Sequence, residues 1–125
     1  MFILLIKESI IVCFSSGAPS SPSIISTAED VHATSLTVKW AAPADDGGSP
    51  ITAYRVVVLH LSTEIRNENI TDPGAREKFI GDLSKNANYN LKVYARNYVF
   101  EGDASQTTLK TNFEGANIYR FLHEI

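Results

Sequence analysis

Cysteine is almost absent from this chain: Cys13 is the only one among 125 residues. No disulfide can therefore close within it, and any core must be held by burial and hydrogen bonding alone. An excess of positive charge is missing as well. Eleven Lys and Arg against 14 Asp and Glu leave a formal charge of -3, which supplies no basic field for a phosphate backbone and argues against a nucleic-acid partner. Long apolar runs are also lacking. Those at residues 2–6 and 10–14 are split by Lys7 and Glu8, far short of the ~20 apolar residues a spanning helix needs, so direct membrane insertion by the domain is not expected. The histidines His32, His60 and His123 are scattered and have no Cys partner, unlike a zinc site. Asp45 and Asp46 lack the ligand spacing of a calcium loop and are read as turn formers. No Gly-x-Ser-x-Gly elbow, Walker loop or dinucleotide fingerprint occurs, so neither a positioned nucleophile nor a phosphate cradle is visible. An enzyme is disfavoured and no cofactor or metal is called for.

What is present is period-two alternation. Leu36, Val38 and Trp40 share one face of a strand over residues 35–40, with Thr37 and Lys39 on the other, and Trp40 is expected in the core. Residues 43–50 form a Pro, Asp and Gly turn. The β-branched run 51–61 follows, with Tyr54, Val56 and Val58 expected inward and Arg55, Val57 and Leu59 outward. Residues 63–70 read as a more polar edge strand. After the turn at Asp72, Pro73 and Gly74 comes a strand over 76–80, and another over 103–111. Between them lies the strongest signal. Tyr89 stands six positions after Leu83 and opens the alternation Leu91, Val93, Ala95, Asn97, the pattern of a tyrosine corner, whose hydroxyl bonds back to the crossover backbone before the strand.

The domain is expected over residues 19–111, entered through the Gly, Pro and Ser segment 17–23. Residues 1–18 are an apolar leader, read either as a signal peptide, with Ser15 and Gly17 or Ser16 and Ala18 at the cleavage spacing, or as a fragment start. Residues 112–125 read as a tail or the start of a further element, with Ile118, Phe121, Leu122 and Ile125 at helical spacing.

With Pro22, Trp40, the run from Asp45 through Tyr54, Leu83, Tyr89, Leu91, Val93, Ala95, Asn97, Gly102 and Ser105 in this order, the chain resembles a fibronectin type III domain. Lys85 and Ala87 depart from it, standing where the family often has Pro and Thr. The resemblance implies an all-β, seven-stranded antiparallel two-sheet sandwich of immunoglobulin-like topology without a disulfide. Its first, second and fifth strands would form one sheet, and its third, fourth, sixth and seventh the other. It also implies a non-catalytic protein-binding and spacer module in a tandem array. Such modules occur in cell-adhesion and receptor ectodomains, which places this one outside the cell in preference to the cytoplasm, and also in intracellular muscle-type scaffolds.

The candidate surfaces are a loop and a sheet face. Rigid scaffolds concentrate recognition in their loops, and the loop after the sixth sandwich strand carries Tyr98, Val99 and Phe100. Glu101, Gly102 and Asp103 follow, where one known module of the family has Arg-Gly-Asp. Without the Arg, no integrin contact is expected. The sheet face is expected to place Arg55, Val57 and Leu59 beside Lys92, Tyr94 and Arg96, a mixture of Arg, Tyr and apolar residues suited to a protein interface. Asn69, Ile70 and Thr71 form an acceptor triplet for N-glycosylation.

Overall fold

The structure is a computed structural model that describes residues 2–6, 9–13 and 17–113. Strands β1 (Phe2–Ile6) and β2 (Ser9–Cys13) pair as an antiparallel hairpin with Phe2 opposite Cys13. No strand is expected here from the sequence, which reads as an apolar leader. Residues 14–16 and 114–125 lie outside the described residues, and with them most of the leader's cleavage spacing and the helical spacing near the C-terminus.

The remaining strands are β3 (Ser23–Ile24), β4 (Leu36–Ala41), β5 (Ile51–His60), β6 (Thr63–Ile70), β7 (Glu77–Ile80), β8 (Asn88–Asn97) and β9 (Ser105–Lys110). They form two antiparallel sheets, ordered β3-β4-β7 and β6-β5-β8-β9. This is the seven-strand, two-sheet order expected from the sequence, with β6 at an edge. Period-two alternation explains why the sheets stack. Leu36, Val38 and Trp40 from β4 meet Tyr54, Val56 and Val58 from β5 and Leu91, Val93 and Ala95 from β8, all at most 1% exposed. Each large apolar side chain so buried contributes on the order of 1.5–3 kcal/mol. Trp40 and Tyr54 pack with ring centroids 5.4 Å apart, tilted by 50°.

Where the chain crosses from β7 to β8, Tyr89 is buried and its hydroxyl accepts a hydrogen bond from the Ser84 N–H at 2.8 Å. That is the expected corner. Thr111, just beyond the end of β9, completes it: its hydroxyl donates to the Ser84 carbonyl at 2.6 Å and accepts from the Ala87 N–H at 2.9 Å. The polar groups of a corner that has Ala87 in place of Thr are thereby satisfied from a distant strand. The packed body also reaches beyond residues 19–111. Gly17 donates to the Gly47 carbonyl at 2.8 Å, and Asn112 donates to the His32 carbonyl at 2.9 Å.

One expectation about a face is corrected. Val57 alternates outward as predicted, yet it is only 3% exposed. β5 is an interior strand of its sheet, so Val57 lies between Asn67 on β6 and Lys92 on β8, with the Arg55 and Tyr94 pair one step along the same face. Long side chains with polar tips cover an apolar centre in this way.

Candidate protein-binding surface

On the outer face of β5 and β8, Arg55 is directly opposite Tyr94. The pleat puts the two side chains on one face, and the guanidinium carbon sits 4.1 Å from the Tyr94 ring centroid. The same guanidinium also grips the loop beyond β8. Nε donates to Glu101 Oε1 at 2.7 Å and Nη2 donates to Oε2 at 2.9 Å, a bidentate pair. Both side chains are about three-quarters buried, so the pair is partly shielded from water. Its hydrogen bonds hold the Glu101 carboxyl below its ordinary pKa and raise the Arg55 guanidinium. Nη1 lies 3.4 Å from Asn67 Oδ1, extending the cover over Val57.

The loop itself is held from within by Asn97, whose side chain is buried although polar, with 1% exposure. Its Oδ1 accepts from the Val99 N–H at 2.9 Å and the Phe100 N–H at 2.8 Å, and its own N–H donates to the Phe100 carbonyl at 3.0 Å. Gly102 N–H returns the chain to the sheet by donating to the Ala95 carbonyl at 2.9 Å. With its backbone engaged inward, the turn carries its side chains outward. Tyr98 is 87%, Val99 54% and Phe100 49% exposed.

The predicted site residues therefore divide. Tyr98 and Phe100 stand together, exposed, on a fixed turn. Arg55 and Tyr94 form a stacked pair that is tied to this turn through Glu101. Val57 lies beneath their cover and offers no contact area. Leu59 is half-buried at the far end of the face, beside a shallow depression also lined by Leu61, Asn90 and Lys92. Arg96 is exposed opposite Ala53, the next pair along the same face as Arg55 and Tyr94, and the register shift between Ile51 and Ala53 comes only beyond it. Asn69 is exposed on the edge strand, opposite Arg55.

Sequence reasoning placed Val99 in the loop without singling it out, and missed both Glu101 as the partner of Arg55 and the exposed Leu61. The last stands 84% exposed at the β5–β6 turn with φ of 52°. The charge alternation of Arg55 and Glu101 was present in the sequence, but nothing local connects residues 46 positions apart. Among the described residues no group of three or more His, Cys, Asp or Glu could hold a metal ion.

Comparison with known proteins agrees with this geometry. The chain is 35% identical over 78 residues to a fibronectin type-III domain-containing protein 3a of Gallus gallus, covering 62% of this chain and 6% of that protein. It is 30% identical over 101 residues to the cell adhesion molecule DSCAM of Gallus gallus, covering 78% of this chain and 5% of that protein. It is also 30% identical over 93 residues to the Titin of Drosophila melanogaster, covering 74% of this chain and a share that rounds to 0% of that protein. The chain thus spans a small fraction of the length of the curated relatives it matches. Among solved structures, domains d3-d4 of the rat CD45 extracellular region superpose with a TM-score of 0.64 at 18% identity, over 77% of this chain and 51% of that one. The family model for the fibronectin type III domain matches residues 19–111, the two sheets and corner described above, and the chain belongs to that family.

Proposed function

We propose that this chain is a non-catalytic protein-binding and spacer module of a cell-adhesion or receptor-type protein, and that it contacts its partner through the turn bearing Tyr98, Val99 and Phe100. The observation that carries this reading is the exposure of three consecutive apolar side chains on a backbone that Asn97 fixes. Aromatic side chains on a rigid support lose little entropy on binding and dominate interface energetics. The partner surface it fits is a protein pocket with an apolar floor. Arg55 and Glu101 lie at the margin of the turn and neutralise one another, so they contribute orientation more than attraction.

Similarity to an adhesion molecule supports an extracellular setting, and similarity to a titin supports an intracellular scaffold; the family serves both. A binding experiment and a mass measurement separate them. The full chain, fluorescently labelled, should bind the surface of cells that display its partner. The double substitution Tyr98→Ser, Phe100→Ser should abolish that binding with the fold retained, and equal binding by the variant would remove the turn from consideration. Expressed with its leader in a secretory host, the chain should be exported and carry a glycan on Asn69 that Asn69→Gln eliminates. Retention inside the cell would favour the scaffold reading.

A further inference from the structure

The segment that leads the chain into the sandwich is wedged between two connections. On one side it follows the β4–β5 turn. Gly17 N–H donates to the Gly47 carbonyl at 2.8 Å, Ser20 N–H donates to the Asp45 carbonyl at 2.8 Å, and Asp45 N–H donates to Ser20 Oγ at 3.1 Å. On the other side Pro19 is buried against the β8–β9 connection, so tightly that a Cβ on Gly102 would collide with the Pro19 carbonyl oxygen. A Cβ on Gly47, whose φ is +79°, would likewise collide with the backbone of Gly17 and Ala18. Residues 17–20 are a strap, and both glycines are required where it crosses.

Asn97 joins this strap to the turn. Its Nδ2 donates to the Gly17 carbonyl at 2.8 Å and to the Asp46 carbonyl at 2.9 Å, while its Oδ1 takes the Val99 and Phe100 amides. Both donor hydrogens and both acceptor sites of the carboxamide are thus engaged. The group is planar and buried, so its two ends cannot turn independently, and the four bonds stand or fall as a set.

We propose that Asn97 is a positioning residue through which residues 17–20 set the shape of the 98–100 turn. The inference deepens the reading of that turn as the contact surface and rests on it. With the strap seated, the carboxamide is held by the Gly17 and Asp46 carbonyls and presents Oδ1 to the Val99 and Phe100 amides, so Tyr98, Val99 and Phe100 are preorganised for binding. With the strap lifted, one buried donor loses its acceptor, the carboxamide reorients toward water, and both turn amides lose their partner. The direction in which the chain approaches Gly17 therefore controls the presentation of the contact residues.

Backbone amide hydrogen exchange on the full chain, followed by NMR, tests this. In the unaltered protein the Gly17, Val99 and Phe100 amides should share one protection level, because they open together. Gly47→Ala alters the other connection and the strap's seat. It should accelerate exchange of Val99 and Phe100 by at least about tenfold, the scale of one lost hydrogen bond, while Val56 and Val93 at the sheet centre keep their protection. Fast exchange at Gly17 with Val99 and Phe100 still protected in the unaltered chain would overturn the proposal, as would unchanged turn amides in Gly47→Ala. The outcomes are separable from those of the contact reading: coupled exchange with binding indifferent to Tyr98→Ser, Phe100→Ser keeps the device and removes the contact surface.

Discussion

Ser84 and Tyr89 are joined by a 2.8 Å hydrogen bond from backbone N–H to phenolic oxygen, across the crossover between the two sheets. The crossover must reverse direction without a helix or hairpin to satisfy its amides, and the ring supplies both a buried anchor and an acceptor. Tyr89→Phe keeps the anchor and removes the acceptor. It should cost about 0.5–1.5 kcal/mol in equilibrium urea unfolding, and more if the Ser84 amide is left dry. No loss would mean that the crossover is held by its other bonds, those from Leu83, Asn86 and Thr111.

This corner was legible from the sequence because its parts are local. Leu83, Tyr89 and the alternation to Asn97 lie within one strand and its approach, and a two-residue period reports burial on one face. The same alternation misjudged Val57. It identifies the face a side chain points to but says nothing of what lies above that face, which here is set by Asn67 and Lys92 on neighbouring strands and by the Arg55 stack on Tyr94. The bond from Asn97 to Gly17 spans 80 positions and was equally invisible. What the chain has at a distance from itself is fixed by sheet register, which no single window contains.

Val57→Asp follows from that correction. An exposed valine on a sheet face would accept a charge with little effect. At 3% exposure, the carboxylate is desolvated at a cost that Lys92 opposite it and Arg55 on the same face only partly offset, so the loss should be about 1–3 kcal/mol at neutral pH. It should shrink as the pH falls and the carboxyl protonates in both states. Urea titrations at pH 4 and pH 7 would show the difference, and a neutral result at pH 7 would restore Val57 to the surface.

The turn between β5 and β6 places Leu61 at φ 52° and Ser62 at φ 66°, the left-handed conformation that suits Asn and Gly in a two-residue hairpin. Leucine there costs on the order of 1 kcal/mol. Leu61→Asn with Ser62→Gly should raise stability by about 1 kcal/mol and increase the melting temperature by several degrees. If Leu61 serves recognition, the same double variant will lose partner affinity while gaining stability, which is the trade-off expected of strain kept for function.

The Arg55 and Glu101 pair gives the module a pH dependence of defined sign. The Glu101 carboxyl is held below its ordinary value of 4.5 by the Arg55 hydrogen bonds. A carboxyl with a lowered folded pKa contributes stability that is complete above the unfolded value and is lost as the pH falls through the folded one. Stability should therefore decline below about pH 4.5. Glu101→Gln should remove this share of the decline, at a cost of about 1 kcal/mol near pH 7. Arg55→Lys should not rescue it, since an ammonium can neither grip both oxygens nor lie flat on the Tyr94 ring. Because Glu101 directly follows Phe100, its release at low pH should also broaden the NMR signals of the turn amides before the sheets unfold. If turn and sheet signals change at a single midpoint instead, the pair contributes to the fold as a whole and not to the turn in particular.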